Sequence, residues 1–359
     1  MKRLVLCFDG TWNRADGGGS PTNVARIAQA VMPRGRDGTV QLTLYLRGVG
    51  ATAGGMERLI AGATGQGIDD NIRAGYLFLA QNYVAGDEVY VFGFSRGAFT
   101  ARSLVGFIGA CGLLRRNCQD RIMQAWERYR QGGGHVPGRC HGPVPIAFLG
   151  VWDTVGALGI PSDLLGPLVA EDYQFHDTRP SPLVRVARHA LAIDEHRDEF
   201  VPTFWTGEAP AGCDIRQVWF AGAHADVGGG YRHRRLADIP LRWMAEEAAL
   251  AGLGLDGGLL ELPVDPLAPQ HESRQSWSRK DLLTPTLRQV AGRPVPVGLL
   301  ERLYRPLDRT GRPLPTIGEE LHPSVRLRFG RQVRRILDDD DIDGKPHSYQ
   351  PRNVAPLIG

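Results

Sequence analysis

Apolar residues along this chain are concentrated in segments of strand length, and helix-compatible segments separate several of them. The predicted strands are residues 4–8, 39–46, 89–93, 145–152, 186–193 and 215–220. Apolar residues at helical spacing (Ile72, Tyr76, Leu79 and Tyr83) predict a helix that begins near residue 68 and stops at Gly86. Buried strands that alternate with helices indicate a doubly wound, mostly parallel α/β sheet.

The third predicted strand leads into Gly93-Phe94-Ser95-Arg96-Gly97. G-x-S-x-G between a strand and a helix is the nucleophile elbow of α/β-hydrolases. The sharp turn strains the serine backbone, and side chains two residues before and after the serine would collide, so both positions need glycine. In a chain with 46 glycines the pattern also arises in ordinary strand-to-helix turns. Ser95 is the candidate nucleophile, and the Arg96 N–H at the helix start is a candidate oxyanion donor.

A nucleophilic serine needs a base to accept its proton and a carboxylate to orient that base. Asp153 follows strand 145–152 and His224 follows strand 215–220, so both are expected at the sheet edge that carries Ser95. The order Ser, Asp, His is that of α/β-hydrolases. Asp226 is the alternative acid, and His322 is the alternative base.

The loop after the first strand begins with Asp9, and a backbone N–H of Gly10 or Thr11 is the candidate second oxyanion donor. A simple Asx turn is the other interpretation of this loop. A metal site at the strand ends would leave the elbow glycines unexplained, and its ligands would be Asp9, Asp153, His224 and Asp226. We therefore expect no metal and no cofactor.

Charge, cysteine content and the N-terminal segment indicate which partners and which cellular compartment to expect. A net charge of +3, spread along the chain, gives no reason to expect a nucleic-acid partner. The five cysteines follow no metal-ligand spacing and indicate a reducing compartment. The apolar run after Met1 ends at Asp9, which is too short for a signal peptide. We expect synthesis in the cytoplasm and, for any export, a signal-independent secretion system.

The predicted domain organisation is one catalytic domain with additions. An α/β-hydrolase domain is expected over residues 1–255, with cap insertions at about 115–142 and 157–185. The Pro- and Arg-rich residues 256–359 are expected to pack on this core as an irregular extension. The charged run 194–199 is interpreted as a solvated face, and His224 is placed in a flexible loop of small residues.

Several stretches together resemble one bacterial family. They are residues 7–13, 86–102, 150–156 and 222–231, with 192–197 and 321–325 in addition. The family is an uncharacterised α/β-hydrolase group that includes the catalytic domain of type VI secretion phospholipase effectors. The resemblance implies a serine hydrolase with Ser95 as nucleophile, and Asp153 and His224 match the strand-end motifs from which the other triad members come.

The expected function is hydrolysis of carboxylic esters, with lipid or phospholipid acyl esters as the implied substrates, through a Ser-His-Asp triad and an acyl-enzyme. Peripheral contact with a membrane is a further expectation, and no secretion partner is predicted. Two alternatives remain at this point. One is a non-catalytic binding or regulatory module on a hydrolase scaffold, and the other is an acyltransferase that uses the same triad.

Overall fold

Seven parallel strands form the central sheet in the computed structural model, which describes residues 1–10, 20–48, 66–156, 179–273, 284–308, 310–338 and 341–358. Their order across the sheet is β10-β6-β5-β4-β3-β1-β2, and every neighbouring pair is parallel. The strands are β1 Lys2–Phe8, β2 Val40–Leu46, β3 Glu88–Phe94, β4 Ile146–Trp152, β5 Val184–Ala192, β6 Asp214–Phe220 and β10 Glu319–Leu321. The predicted fold class is confirmed.

Helices cover both faces of the sheet. They are α1 Asn23–Ala30, α2 Gln66–Asn82, α3 Arg96–Cys111, α4 Ile122–Arg130, α5 His224–Gly228, α6 Asp238–Leu250, α7 Pro323–Arg328 and α8 Ala355–Ile358. One core cluster joins α2, α3 and α4 to one face of the sheet, and a second joins α1 and α6 to the other. Strands covered on both faces are continuous apolar runs because every side chain is buried, as all seven residues of β4 are.

The direction of strand addition reverses between β1 and β3. After β1 the chain forms β2 on one side of it, and then crosses to β3 and builds β4, β5 and β6 on the other side. In open α/β sheets the crevice at such a reversal, beyond the carboxyl ends of the strands, is the usual ligand site. Asp9 and Ser95 follow the carboxyl ends of β1 and β3, so they lie at this crevice.

The extension after residue 255 contributes to the central sheet as well as packing on it. Its strand β10 pairs with β6 in parallel register, with Glu319 opposite Gln217. The remaining strands form two small sheets, made of β7 Gln270–His271, β11 Gln332–Asp338 and β12 Asp341–Ser348, and of β8 Thr286–Arg288 and β9 Arg302–Tyr304. β7, β8 and β9 have only two or three residues, and the longer β11 and β12 are rich in charged residues, so no apolar run marks any of these strands in the sequence.

The insertion at 115–142, predicted as a cap, lies beside the C-terminal half of α3. Its two ends meet beside the last turn of α3, where Leu114 bridges to Cys140. Since α3 starts at Arg96 and ends at Cys111, this end of the helix is about 22 Å from its start. Within the insertion, α4 packs on the side of α3, with the Trp126 ring 5.4 Å from that of Phe107. Most of the second predicted cap, residues 157–178, lies outside the described residues.

Candidate active site

Ser95 occupies a strained turn between β3 and α3. Its backbone has φ 57° and ψ −123°, a region that non-glycine residues rarely adopt, at a cost on the order of 1–3 kcal/mol. A Cβ atom on Gly93 would lie 2.4 Å from the Gly97 carbonyl oxygen, and one on Gly97 would lie 2.2 Å from the Phe8 carbonyl oxygen. Both glycines are therefore required by the turn, as the elbow interpretation predicts.

The start of α3 lies directly after Ser95, so the Arg96 N–H belongs to the first turn, which has no intrahelical acceptor. The Gly10 N–H, predicted as the second oxyanion donor, has a partner within its own loop. The Gly10 N–H donates to the side chain of the preceding residue, Asp9, at 2.7 Å, and Thr11 lies outside the described residues. Burial raises the pKa of Asp9 to about 6, against the hydrogen bonds from Tyr45, Thr22 and Gly10 that lower it.

Asp153 and His224 form a buried pair. The His224 Nδ1 lies 2.6 Å from the Asp153 Oδ2, and the Asp153 side chain has no exposed surface. Asp153 turns at the end of β4 with a positive φ of 36°, and its Oδ1 accepts the Ala192 N–H at 3.0 Å. The strand ends of β4 and β6 thus bring together the two residues that sequence reasoning selected as acid and base.

A third residue in this cluster, Arg288, was not predicted. Its guanidinium donates to both oxygens of Asp153, from Nη1 to Oδ1 at 2.7 Å and from Nη2 to Oδ2 at 3.0 Å. Nη1 also donates to the Ala192 carbonyl oxygen. Burial by itself would raise the pKa of Asp153, but Arg288 and His224 hold that pKa well below its usual range. Asp153 is therefore an ionised acceptor that His224 and Arg288 share.

His224 lies in a short helix rather than in the predicted loop. It is the first residue of α5, and its backbone N–H donates to the Glu195 Oε2 at 3.2 Å. Its ring packs on Phe94, the residue before Ser95, with the centroids 4.6 Å apart. Burial lowers the pKa of His224, and Asp153 and Glu195 oppose that shift. The imidazole is therefore neutral at neutral pH and lies next to the elbow.

Three residues of the charged run 194–199 are buried, namely Asp194, Glu195 and Arg197, which corrects its interpretation as a plain solvated face. Glu195 is 1% exposed and accepts the Arg197 guanidinium through Nε at 2.9 Å and Nη2 at 2.7 Å. Burial would raise the pKa of Glu195, but Arg197 lowers it to about 2. Asp194 accepts the Gly222 N–H at 2.7 Å. This run therefore positions the start of α5, which carries His224.

The two alternative site residues have other partners. The Asp226 Oδ1 lies 2.6 Å from the His271 Nδ1, and its Oδ2 accepts the His271 N–H at 2.9 Å. His322 caps α7, with its Nδ1 2.8 Å from the Ser324 hydroxyl. It also stacks on Phe220 at 4.6 Å between centroids, and burial lowers its pKa to about 4. Asp226 therefore links α5 to the extension, and His322 lies between the edge strand β10 and α7.

Of the four candidate metal ligands, Asp153 and His224 contact each other. Across the parts of the chain that the structure describes, no group of three or more His, Cys, Asp or Glu side chains is arranged to hold a metal ion. Asp9 instead accepts the hydroxyls of Tyr45 at 2.5 Å and Thr22 at 2.8 Å.

Comparison with known proteins assigns the family. The model of the type VI secretion system phospholipase effector Tle1-like catalytic domain matches residues 2–141 and 135–247. The chain belongs to this family. The match includes Ser95, Asp153 and His224 and ends before Arg288, which lies in the extension.

Relatives of the chain are longer proteins. An uncharacterized protein of Saccharomyces cerevisiae, YEL023C, is 30% identical over 230 residues, which are 55% of this chain and 32% of the yeast protein. The crystal structure of an uncharacterized Pseudomonas aeruginosa protein aligns with 73% of this chain and 47% of its own, at 21% identity and a TM-score of 0.45. A Tle1 effector solved with the VgrG spike of the type 6 secretion system aligns with 65% and 51%, at 18% identity and a TM-score of 0.39. The chain thus spans about half of these relatives or less.

Among the described helices, none is long and apolar enough to cross a membrane.

Proposed function

We propose that this protein is a serine hydrolase that cleaves acyl esters of lipids, with Ser95, His224 and Asp153 as its catalytic triad. One observation carries the proposal. The buried Asp153–His224 pair, 2.6 Å apart, packs against Phe94 at the strained turn that holds Ser95. Membership of a phospholipase effector family supports a lipid ester as the substrate.

The hydrogen bond to Asp153 determines which nitrogen of His224 carries the proton. An ionised carboxylate only accepts hydrogen bonds, so the His224 Nδ1 must be the donor in this contact. The neutral imidazole then has its lone pair on Nε2, which is the form that a general base requires. When Nε2 accepts a proton, the Asp153 carboxylate stabilises the imidazolium, and Arg288 keeps that carboxylate ionised.

In the proposed reaction, His224 takes the Ser95 hydroxyl proton while the serine oxygen attacks the ester carbonyl carbon. The carbonyl oxygen becomes an oxyanion, which the Arg96 N–H and the dipole of α3 stabilise. Collapse of this intermediate breaks the bond to the alcohol, which leaves with the proton from His224, and an acyl-enzyme remains. Water, deprotonated by His224, then releases the acid and restores Ser95.

We infer phospholipid acyl esters as the substrate class within the lipid esters, and contact with a membrane surface follows from that substrate. Delivery by a secretion system is a separate hypothesis. The family description names effectors, but a yeast protein is also similar to this chain, so membership alone does not decide how this chain is delivered.

The test is ester hydrolysis by the wild type, Ser95→Ala and Ser348→Ala, the last being an exposed serine outside the site. Substrates are p-nitrophenyl butyrate and vesicles of phosphatidylethanolamine and phosphatidylglycerol, with released acid as the readout. We expect release by the wild type and Ser348→Ala and loss of release in Ser95→Ala. Equal release by all three proteins, or no release from either substrate, would overturn the proposal.

A further inference from the structure

A cavity of about 830 Å³ lies on the side of α3 that faces α2 and α4. This volume is within the range of small-molecule pockets, roughly 300–1,000 Å³. Most side chains on its wall are apolar, including Ile72, Phe99, Val105, Trp126, Leu149 and Trp205. A mainly apolar wall favours a hydrocarbon ligand, because burying apolar surface is the main source of its binding energy.

The cavity follows α3 away from the nucleophile. Its wall includes α3 residues from Phe99 to Ala110, among them the glycines Gly106 and Gly109. With a rise of 1.5 Å per residue, Phe99 is about 6 Å and Gly109 about 21 Å along the helix axis from Ser95. The α3 side of the cavity wall therefore extends for about 15 Å along the helix, and its first α3 residue lies one turn after the serine.

One residue of the cavity wall is linked by hydrogen bonds to the strand end that carries Asp153. Arg102 lines the cavity and donates to the carbonyl oxygens of Thr203 and Phe204. The Thr203 N–H in turn donates to the Thr154 carbonyl oxygen at 2.8 Å, next to Asp153. Hydrogen bonds thus connect one residue of the cavity wall, on the elbow helix, to the backbone beside Asp153.

We propose that this cavity binds the acyl chain of the ester substrate, with the scissile carbonyl at Ser95 and the chain extended along α3. The inference rests on the proposed function and specifies the substrate as a medium- or long-chain acyl ester. Each methylene that the cavity buries strengthens binding by up to about fourfold, so activity should rise with chain length until the cavity is full.

Two glycines on the wall allow the length of the cavity to be changed. A Cβ atom on Gly106 would lie 3.2 Å from the Tyr129 hydroxyl, and one on Gly109 would lie 2.9 Å from the Ser181 hydroxyl. A leucine at Gly106 would fill the middle of the cavity, about 16 Å along the axis from Ser95. Gly142 offers a matched control, because it is exposed and has no atom within 4 Å of its Cβ position.

The experiment measures kcat/KM for p-nitrophenyl butyrate, octanoate and palmitate with the wild type, Gly106→Leu and Gly142→Leu. We expect the palmitate-to-butyrate ratio to fall at least tenfold in Gly106→Leu and to stay within twofold of the wild type in Gly142→Leu. Gly106→Ala adds one methyl group and favours the helix, so it gives a smaller shift in the same direction should the leucine variant fail to fold. An unchanged ratio in folded variants would overturn the inference.

Binding of cis-parinaric acid, a fluorescent fatty acid, separates this inference from the proposed chemistry. The Ser95→Ala protein is titrated with the fatty acid, with and without Gly106→Leu. We expect binding that Gly106→Leu weakens at least tenfold, even if no ester is hydrolysed. Absence of binding, or binding that Gly106→Leu and Gly142→Leu affect equally, would refute the acyl site whatever the outcome of the hydrolysis assay.

Discussion

Replacing Arg288 by methionine tests whether the extension completes the active site. The Arg288 side chain is 1% exposed and the Asp153 side chain is fully buried, so the substitution leaves a buried carboxylate without its cation. Removing one partner of a buried ion pair typically costs about 3–5 kcal/mol. That is a large part of the roughly 5–15 kcal/mol that stabilises a typical protein. We therefore expect Arg288→Met to lower the free energy of unfolding by several kcal/mol at neutral pH.

Arg302 on the neighbouring strand β9 is the matched control. It pairs with Asp198 at 2.9 Å, but its side chain is 57% exposed. Exposed ion pairs contribute about 0–1 kcal/mol. The free energy of unfolding of Arg302→Met should therefore be close to that of the wild type. Arg288→Lys retains a charge without the two-pronged contact and should fall between the wild type and Arg288→Met.

The stabilisation that Arg288 provides through Asp153 should depend on pH. Arg288 keeps the pKa of Asp153 in the folded protein below its unfolded value, which is about 3.9. The resulting stabilisation is complete above the unfolded pKa and is lost as the pH falls through the folded pKa. The gap between the wild type and Arg288→Met should therefore narrow from about pH 5 toward pH 3.

The assay is urea unfolding of the wild type, both arginine-to-methionine variants and Arg288→Lys at several pH values. A loss in Arg288→Met no larger than in Arg302→Met would contradict the buried pair. A gap that does not change with pH would show that lost packing, rather than charge, causes the destabilisation.

The other predictions concern the reaction and the turn. Asp153→Asn should lower kcat by roughly 10⁴-fold because the imidazole loses its orienting acceptor. Asp226→Asn should change kcat by less than about tenfold, since Asp226 contacts His271 and not His224. A larger loss of kcat in Asp226→Asn than in Asp153→Asn, measured at steady state, would assign the acid to Asp226. Activity should fall with decreasing pH as His224 takes up a proton. The midpoint should lie below the ordinary histidine pKa of about 6.5, because burial lowers the pKa of His224. A kcat/KM profile with a midpoint above that value would contradict the environment described for His224. Gly97→Ala should lower the free energy of unfolding by several kcal/mol, since the added Cβ would lie 2.2 Å from the Phe8 carbonyl oxygen. Gly142→Ala, with no atom within 4 Å of its Cβ position, should leave the thermal unfolding temperature nearly unchanged.

The elbow and the strands around it could be predicted because their signals are local. Each strand of the central sheet up to β6 was located within two residues, since buried parallel strands are continuous apolar runs. Ser95 is predicted from the glycines two residues away on each side: a Cβ atom on Gly93 would meet the Gly97 carbonyl oxygen, and one on Gly97 would meet the Phe8 carbonyl oxygen. The chain order then placed Asp153 and His224 at the same edge, where they form a hydrogen bond.

Long-range contacts between charged residues could not be predicted in the same way. Arg288 is 135 residues from Asp153 in the chain, and it is one of many arginines in a region with short elements. The run 194–199 has the composition of a solvated surface, yet Glu195 and Arg197 are buried because they neutralise each other. Burial of charge depends on partners that only the tertiary structure brings together. The same limit applies to the cavity beside α3, whose walls come from distant segments.

Labelling with a fluorophosphonate tests the central claim most directly, because this reagent reacts with a serine only when a neighbouring base activates it. The wild type, Ser95→Ala and Ser348→Ala are treated and analysed by intact mass and peptide mapping. The account predicts a single adduct on Ser95 in the wild type and Ser348→Ala, and none in Ser95→Ala. A folded wild-type protein that forms no adduct, or an adduct that persists in Ser95→Ala, would contradict an activated Ser95 and favour a binding module on a hydrolase scaffold.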